Sequence, residues 1–247
     1  MSSHAVYAPS SADRWMNCSA SVPLTHKLGL DNSDQHTIYT AKGTVVHSMS
    51  EASILDHADI DQPSVLGDWC RDLPEYLAEE QVTDYMRAQA HLYIEEVNRL
   101  RETGLYKIRI EHLSYHSDQL YGTADAVLTS ENNKHLIIVD LKTGKQKVKA
   151  KENFQLMTYA GMTAMNLKIK PATVTLMIIQ PTDVKSGVSV WHTNLREIDQ
   201  HMAKAERAMA SAKFQRGRHC RYCPAKVQCT EGLEVLSKLE VPDMFRK

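Results

Sequence analysis

The sequence predicts an α/β protein with a mixed central sheet flanked by helices. Three observations lead to this fold class. Before Gly104 the hydrophobic residues mostly recur at helical spacing. After Gly104 they change to the two-residue period of strands. A further helical segment then separates the third strand from the fourth, and this order of helices and strands is typical of a mixed sheet covered by helices.

Helices are predicted where apolar residues recur every three or four positions between polar segments. A short helix is expected over residues 9–22, with Ser10 as its N-cap and Asp13 completing a capping box. The polar stretch 28–40 and the stretch 58–75, which contains two prolines and a glycine, are predicted as loops. Longer helices are predicted at residues 41–57, 75–103, 152–166 and 195–213.

Five strands are predicted from alternating or continuous apolar residues. They lie at residues 106–113, 121–128, 135–141, 172–180 and 188–192. A polar turn at 130–134 joins the second strand to the third. The third strand reads HLIIVDL, which is apolar enough for a central position in the sheet. The chain has 247 residues, of which 43% are hydrophobic, so one sizeable core is expected rather than two full domains.

Composition excludes some classes of protein and leaves others open. No apolar run reaches the 18 or so residues that a membrane span needs. The N-terminus has no basic segment followed by an apolar one, so no secretory signal is expected. We therefore expect a soluble, cytoplasmic protein of a bacterium or a phage-infected cell. The formal net charge of −1 does not exclude nucleic acid as a partner, because binding depends on local patches.

Two acidic residues and a lysine form the leading candidate site. Asp140 and Lys142 are two apart at the end of the third strand, so their side chains share one face. Asp125 lies on the preceding strand, and pairing of the two strands would let both carboxylates converge on one cation. Carboxylates suit Mg²⁺ or Mn²⁺, and a metal beside a lysine is the equipment that phosphodiester hydrolysis needs. The alternative is a surface Asp–Lys pair that contributes little.

Weaker candidates surround this group. Gln155 and Tyr159 are spaced i, i+4 on the next helix and could hold a phosphate or order the lysine. Alternatively, Tyr159 is a core aromatic and Gln155 its surface neighbour. His47, early in the helix at 41–57, is a candidate metal ligand, with Glu51 one turn later. Glu111 on the first strand is the weakest candidate ligand.

Clustered cysteines near the C-terminus predict a second metal site. The spacing is C-x2-C-x5-C, at Cys220, Cys223 and Cys229. A tetrahedral site needs a fourth ligand, for which His219 and Cys18 are the candidates. Zinc and an iron–sulfur cluster both fit thiolate ligands, and the spacing does not choose between them. Cys70 is isolated and is expected to be an ordinary thiol.

Several segments together resemble the RecB-like branch of the PD-(D/E)XK nuclease superfamily. They are KGTVVH (42–47), YGTAD (121–125), IVDLKTGK (138–145) and QLMTY (155–159). One cysteine near the N-terminus and three near the C-terminus resemble the iron–sulfur nucleases of that branch, which include AddB-type subunits and CRISPR-adaptation exonucleases. The opening APSSADRWMNCSAS is similar to a family of phage-encoded proteins with this core.

The resemblance implies a restriction-endonuclease-like core and a role for each matching residue. The implied metal ligands are His47, Asp125, Asp140 and the carbonyl of Leu141. Lys142 matches the catalytic lysine. Gln155 and Tyr159 match a helix motif that supports DNA binding. The implied 4Fe–4S ligands are Cys18, Cys220, Cys223 and Cys229.

The resemblance also implies a division of the chain and a function. The N-terminal segment, 1–40, carries the first cluster cysteine; the nuclease core spans 41–213 with a helical insertion at about 58–104; the cysteine-rich segment is 214–247. The implied activity is a metal-dependent DNA exonuclease in recombination, repair or phage DNA metabolism. A site-specific or structure-specific endonuclease and a non-catalytic DNA-binding protein are the alternatives. No G-x-x-x-x-G-K-[ST] helicase motif occurs, so the protein would act alone or with a separate recombination or helicase partner.

Two basic clusters are candidates for following a DNA backbone. The first cluster is Lys142, Lys145, Lys147, Lys149 and Lys151. The second cluster is Lys213, Arg216, Arg218 and Arg221. Cations in such clusters can bind phosphates, although a solvated charged loop is the alternative. No signature of an RNA-binding module is present, so DNA is the expected nucleic acid.

Overall fold

A five-stranded mixed sheet flanked by helices forms the centre of the protein, as the sequence predicts. The computed structural model describes residues 5–30, 37–181 and 187–229. The strands are β1 (Tyr106–Ser117), β2 (Leu120–Ser130), β3 (His135–Leu141), β4 (Thr173–Ile179) and β5 (Val188–Thr193). Their order in the sheet is also β1-β2-β3-β4-β5.

The α-helices of the described residues lie mostly before the sheet. They are α1 (Ala12–Asn17), α2 (Ser21–Lys27), α3 (Ile38–Asp56), α4 (Leu66–Trp69), α5 (Glu75–Ala78), α6 (Asp84–Glu102), α7 (Phe154–Asn166) and α8 (Leu195–Met209). Short 3₁₀ turns lie at Pro9–Ser11, Arg218–Tyr222 and Pro224–Val227. None of these helices is both long enough and apolar enough to cross a membrane.

Strand β3 is the central strand of the sheet, and this position explains why its residues are almost all apolar. It pairs antiparallel with β2 and parallel with β4, and α7 makes the crossover between the two parallel strands. A strand with a partner on each side and helices on both faces needs apolar residues throughout, which is what its sequence provides. The carboxyl ends of β3 and β4 lie at one edge of the sheet, so Asp140 is carried to that edge.

Successive side chains of β3 enter two different cores. Ile138 packs with Trp15, Leu156 and other residues of α1, α7 and α8. Val139 packs on the opposite face with residues of α3 and α6, among them Met49. This two-sided burial fixes the register of the strand, because a shift by one residue would exchange the two faces.

The prediction of one continuous helix over residues 75–103 is wrong, because this stretch contains two separate helices, α5 and α6. The chain leaves helical geometry after α5, and Gln81 forms an isolated bridge with Val65. The side chain of Thr83 then accepts a hydrogen bond from the amide of Met86 and caps the start of α6. The hydrophobic spacing continues across this break, which is why periodicity alone does not reveal it.

The predicted helix over residues 9–22 and its capping box are also wrong. The segment starts as a 3₁₀ turn at Pro9, and α1 begins only at Ala12 without a side-chain cap. The helix ends before Cys18, whose backbone angles (φ −131°, ψ 88°) are not helical, and α2 starts at Ser21. The interruption turns Cys18 out of helical geometry.

Two other helix boundaries differ from the prediction, and the second of them lets the residues after α8 contact the N-terminal segment. Helix α3 starts three residues early, where Thr37 and Thr40 form a capping box, and α8 ends at Met209. The residues after α8 then run beside the N-terminal segment. The amide of Ala20 donates to the carbonyl of Lys213 (3.2 Å), and the amide of Lys213 donates to Ser19 Oγ (2.8 Å).

Candidate active site

The register of β2 and β3 brings two carboxylates side by side. The pairing of the strands runs outward to Ala126 and Val139, so Asp125 and Asp140 are the next residues on each strand. The amide of Leu141 donates to Asp125 Oδ2 at 2.6 Å, which ties the middle of β2 to the end of β3. Both carboxylates therefore lie at the same edge of the sheet.

Asp140, Lys142 and Gln155 form a closed set of polar contacts. Lys142 Nζ lies 2.9 Å from Asp140 Oδ2 and donates to Gln155 Oε1 at 2.8 Å. Gln155 Nε2 in turn donates to Asp140 Oδ1 at 2.7 Å. The side-chain amide of Gln155 therefore holds the Lys142 ammonium and the Asp140 carboxylate in fixed orientations. Its position at the start of α7 depends on Asn153, which caps that helix through the amide of Leu156.

Burial and charge act in opposite directions on Asp140. The side chain is only 3% exposed, and burial raises the pKa of its carboxyl group. The ammonium of Lys142 lowers that pKa, whereas the neighbouring charge of Asp125 raises it. The pKa of Asp140 is raised overall, so a negative charge on this carboxylate, next to that of Asp125, is unfavourable.

Tyr159 lies one turn beyond Gln155 and is a buried core residue. Its ring packs near Gly122, where an added Cβ would lie 3.3 Å from Tyr159 Cε1 and 3.0 Å from Pro9 Cδ. Burial raises the pKa of the phenol, and a hydrogen bond to Gln155 lowers it. The glycine of the YGTAD segment therefore makes room for this tyrosine, whose hydroxyl supports Gln155.

A group of candidate metal ligands lies beside these contacts. One ligand atom each from His47, Glu111 and Asp125 lies within 4.8 Å of the others. His47 Nδ1 is 3.3 Å from Asp125 Oδ1. Asp140 is not a member of this group. Its oxygens contact Lys142 and Gln155. Glu111, the weakest candidate from the sequence, is therefore a member of the ligand group, whereas Asp140 is not.

An unusual backbone conformation places Glu111. Its neighbours Ile110 and His112 pair with Ala126 and Ala124, so Glu111 lies across the two strands from Asp125. Its φ is +47°, in the left-handed region that residues with a side chain seldom adopt. Such a conformation costs about 1–3 kcal/mol and is found most often at functional sites. Sequence alternation carries no signal for it.

The pKa values of His47 and Glu111 are both raised. Burial alone would lower the pKa of His47, but the carboxylates of Asp125, Asp140 and Glu111 raise it to about 9. Burial and, after it, the charges of Asp125 and Glu51 raise the pKa of Glu111 to about 7. Clustered negative charge of this kind is relieved by a cation. The mixed imidazole and carboxylate donors fit Mn²⁺ or Mg²⁺.

Helix α3 brings His47 to the site through a close approach at Gly43. A Cβ at Gly43 would lie 3.0 Å from Thr143 Oγ1, in the turn that follows Lys142. The glycine of the KGTVVH segment therefore lets α3 pack against this turn. Glu51, one helical turn beyond His47, acts on Glu111 through its charge.

The four cysteines predicted to share a site line one small cavity. Cys18, Cys220 and Cys223 are buried, Cys229 is half-buried, and all four border the cavity together with His219. Within the described residues, no three of their sulfur atoms lie within 4.8 Å of one another, so they form no compact ligand group. Burial raises the pKa of the Cys223 thiol. The ring of His219 is hydrogen-bonded to the carbonyl of Gln215 at 2.9 Å.

A basic groove leads from the candidate active site to the cysteine-rich segment. It has a volume of about 980 Å³ and begins at Lys142 and Gln155. Its cationic lining residues are Lys142, Lys147, Lys149, Lys151, Arg216, Arg218 and Arg221, against Asp13 and Glu152 as acidic ones. Lys145 and Lys213 are not among the lining residues. The hydroxyl of Tyr222 donates to Gln146 Oε1 across the groove. The other members of the two predicted basic clusters thus line one surface.

Comparison with known proteins gives one family and several distant structures. A family model described as "Protein of unknown function (DUF2800)" matches residues 4–246. The structure called "Putative exonuclease" from Eubacterium rectale is 13% identical, with a TM-score of 0.42, over 83% of this chain and 81% of the other. An alkaline exonuclease from Laribacter hongkongensis is 12% identical, with a TM-score of 0.34, over 70% of this chain and 90% of the other.

Proposed function

The chain belongs to the DUF2800 family, and we propose that it is a divalent-metal-dependent deoxyribonuclease of the RecB-like PD-(D/E)XK type, acting as an exonuclease. One observation carries this proposal. The Asp140–Lys142–Gln155 contacts adjoin the ligand group of His47, Glu111 and Asp125 at one edge of the sheet. A structural ion pair would not need three further ionisable groups gathered beside it at a cost in electrostatic repulsion.

The residues of the site divide the work of phosphodiester hydrolysis. His47, Glu111 and Asp125 would hold the cation, and the resemblance adds Asp140 and the carbonyl of Leu141 to that set. A bound Mg²⁺ or Mn²⁺ lowers the pKa of water and neutralises charge on phosphate oxygens. The ammonium of Lys142 stabilises negative charge on the reacting phosphate, and Gln155 keeps that ammonium directed towards the site.

The basic groove supports DNA as the substrate. Seven cationic side chains line it against two acidic ones, and it opens directly at Lys142. A DNA strand bound along these cations would have one phosphate beside the carboxylates. The same surface is compatible with a protein that binds DNA without cutting it, on its own or with a recombination or helicase partner, so cleavage must be measured directly.

Digestion of labelled DNA is the experiment that tests the function. We expect linear single- or double-stranded DNA to be degraded with Mn²⁺ or Mg²⁺ and to remain intact with EDTA. A covalently closed circle should persist if the enzyme needs an end, and should be cut if it is an endonuclease. Salt-sensitive binding without metal-stimulated degradation of any of these substrates would instead establish a non-catalytic DNA-binding protein.

For the cysteine cavity we propose an iron–sulfur cluster, with 4Fe–4S as the type that the resemblance implies. Cys18, Cys220, Cys223 and Cys229 border one cavity, and they come from both ends of the described chain. A single zinc ion, with bonds of about 2.3 Å to sulfur, needs thiolates within about 3.8 Å of one another. Four thiolates also suit zinc, and the choice of an iron–sulfur cluster rests on the resemblance.

Visible absorbance of anaerobically purified protein tests the cluster. We expect a brown protein containing iron and sulfide. Cys220→Ser should lose most of the colour and melt at a lower temperature, because the cluster joins the N- and C-terminal segments. Cys70→Ser, which changes a thiol outside the cavity, should keep both properties. A colourless wild-type protein with stoichiometric zinc would contradict the iron–sulfur assignment.

A further inference from the structure

A buried glutamine lies beside the lysine-rich segment that joins β3 to α7. This segment, residues 142–153, carries the first basic cluster and has no helix or strand of its own. Gln180 directly follows β4 and is only 4% exposed. The amide of Lys142 donates to the carbonyl of Ile179 at 2.8 Å, which continues the pairing of β3 with β4. Gln180 therefore lies next to the start of the segment.

The side chain of Gln180 makes three hydrogen bonds to the backbone of this segment. Its Nε2 donates to the carbonyl of Gly144 at 2.6 Å and to that of Gln146 at 2.8 Å. Its Oε1 accepts from the amide of Val148 at 2.8 Å. Both side-chain N–H groups are therefore used, and the three bonds fix alternate residues of the segment.

The path that these bonds fix decides where two lysines lie. Lys147 lies between two of the bonded residues and Lys149 follows the third, and both exposed side chains line the basic groove. Gln180 itself does not line the groove. Neighbouring ammonium groups repel one another, so an unanchored segment would spread over many conformations and would have to be ordered when DNA binds. An anchored segment presents its lysines without that cost.

Packing alone does not account for an amide at this position. The preceding residues of β4, Ile178 and Ile179, are buried and apolar. A buried amide is unfavourable unless it is hydrogen-bonded, and that of Gln180 bonds to the lysine-rich segment. A second side chain from the same part of the sheet acts similarly, since Ser189 Oγ on β5 accepts from the amide of Ala150 at 3.1 Å.

We propose that Gln180 is a positioning residue of the basic groove, which holds residues 144–148 so that Lys147 and Lys149 face the DNA backbone. The inference rests on the proposed function only in requiring that the groove bind DNA. It does not require that the DNA be cut.

DNA binding by Gln180→Met, measured by fluorescence anisotropy with Ca²⁺, tests the proposal. Methionine has a similar length but makes none of the three hydrogen bonds. We expect affinity about tenfold weaker than that of the wild type, the cost of ordering about one residue of chain. The plot of log affinity against log salt should become shallower by about 1.5, the contribution of two phosphate contacts.

A double-mutant cycle distinguishes positioning from a general loss of stability. Lys147→Ala should weaken DNA binding in the wild type but have little further effect in Gln180→Met, because Gln180 acts through this lysine. Arg218→Ala, in the cysteine-rich segment, should weaken binding equally in both backgrounds. Trypsin should also cut after Lys145 and Lys147 faster in Gln180→Met than in the wild type.

Two further variants control for folding. Thr163→Val removes another buried hydrogen bond, with Ser114 at 3.1 Å, and neither residue lines the groove. It should bind DNA as the wild type does. If Gln180→Met fails to fold, Gln180→Asn takes its place in the same measurements, because its neutral amide is one methylene too short to make all three bonds.

Each result separates this inference from the proposed function. Unchanged DNA affinity and salt dependence in the Gln180 variant overturn the inference and leave the nuclease proposal standing. Weaker binding to which the effect of Lys147→Ala adds in full also overturns it, and assigns Gln180 a general structural role. A wild type that binds no DNA overturns both proposals. A wild type that binds DNA without cutting it, with the expected losses in the variant, upholds the inference and overturns the nuclease assignment.

Discussion

Asp140→Asn should reduce DNA cleavage by about a hundredfold to a thousandfold, the range seen when a group that stabilises developing charge is removed. The substitution preserves the shape of the side chain but removes the charge that contacts Lys142 at 2.9 Å. Lys142→Ala should have a comparable effect, since it removes the ammonium that Gln155 holds in place. Binding of DNA, measured by fluorescence anisotropy with Ca²⁺ in place of Mg²⁺, should remain close to that of the wild type.

The fold of these variants is checked in the same preparations. Burial and Asp125 already oppose the charge on Asp140, so the melting temperature of metal-free Asp140→Asn should not fall. Asp199→Asn and Lys170→Ala change exposed residues of the same types and should cleave at the wild-type rate. Full cleavage by Asp140→Asn or Lys142→Ala, in protein free of contaminating nuclease, would refute the assigned site.

The sheet was predictable because its signals are local. The run at β3 is apolar at every inner position, and the polar turn before it fixes how β2 and β3 pair. Together these features bring Asp125 and Asp140 side by side, as expected if the two predicted strands pair. The side chain of Gln155 could be placed near Lys142 because a helix after β3 must cross back over the sheet.

The parts that could not be predicted depend on tertiary packing. The left-handed conformation of Glu111 is not encoded by a glycine, so nothing local distinguishes it from an ordinary strand residue. The break between α5 and α6 is set by the pairing of Gln81 with Val65, a contact between loops.

Metal affinity should rise steeply with pH. His47 has a pKa of about 9 and Glu111 one of about 7, both raised by their surroundings, and each must lose its proton to bind a cation. Between pH 7 and 9 one proton, that of His47, is displaced, so the affinity for Mn²⁺ should increase about tenfold per pH unit. Below pH 7 the increase should be steeper, because Glu111 also competes for protons.

Mn²⁺ titrations followed by EPR at pH 6.5, 7.5 and 8.5 measure this slope. His47→Asn should bind Mn²⁺ more weakly and lose the dependence above pH 7, because the titrating imidazole is gone. His57→Asn is the matched control: His57 ends the same helix in a left-handed conformation that asparagine tolerates, and it is exposed. If the wild type bound Mn²⁺ equally well at all three pH values, His47, whose pKa the carboxylates raise, could not be a ligand of the cation. The cation would then have to be held by the carboxylates alone.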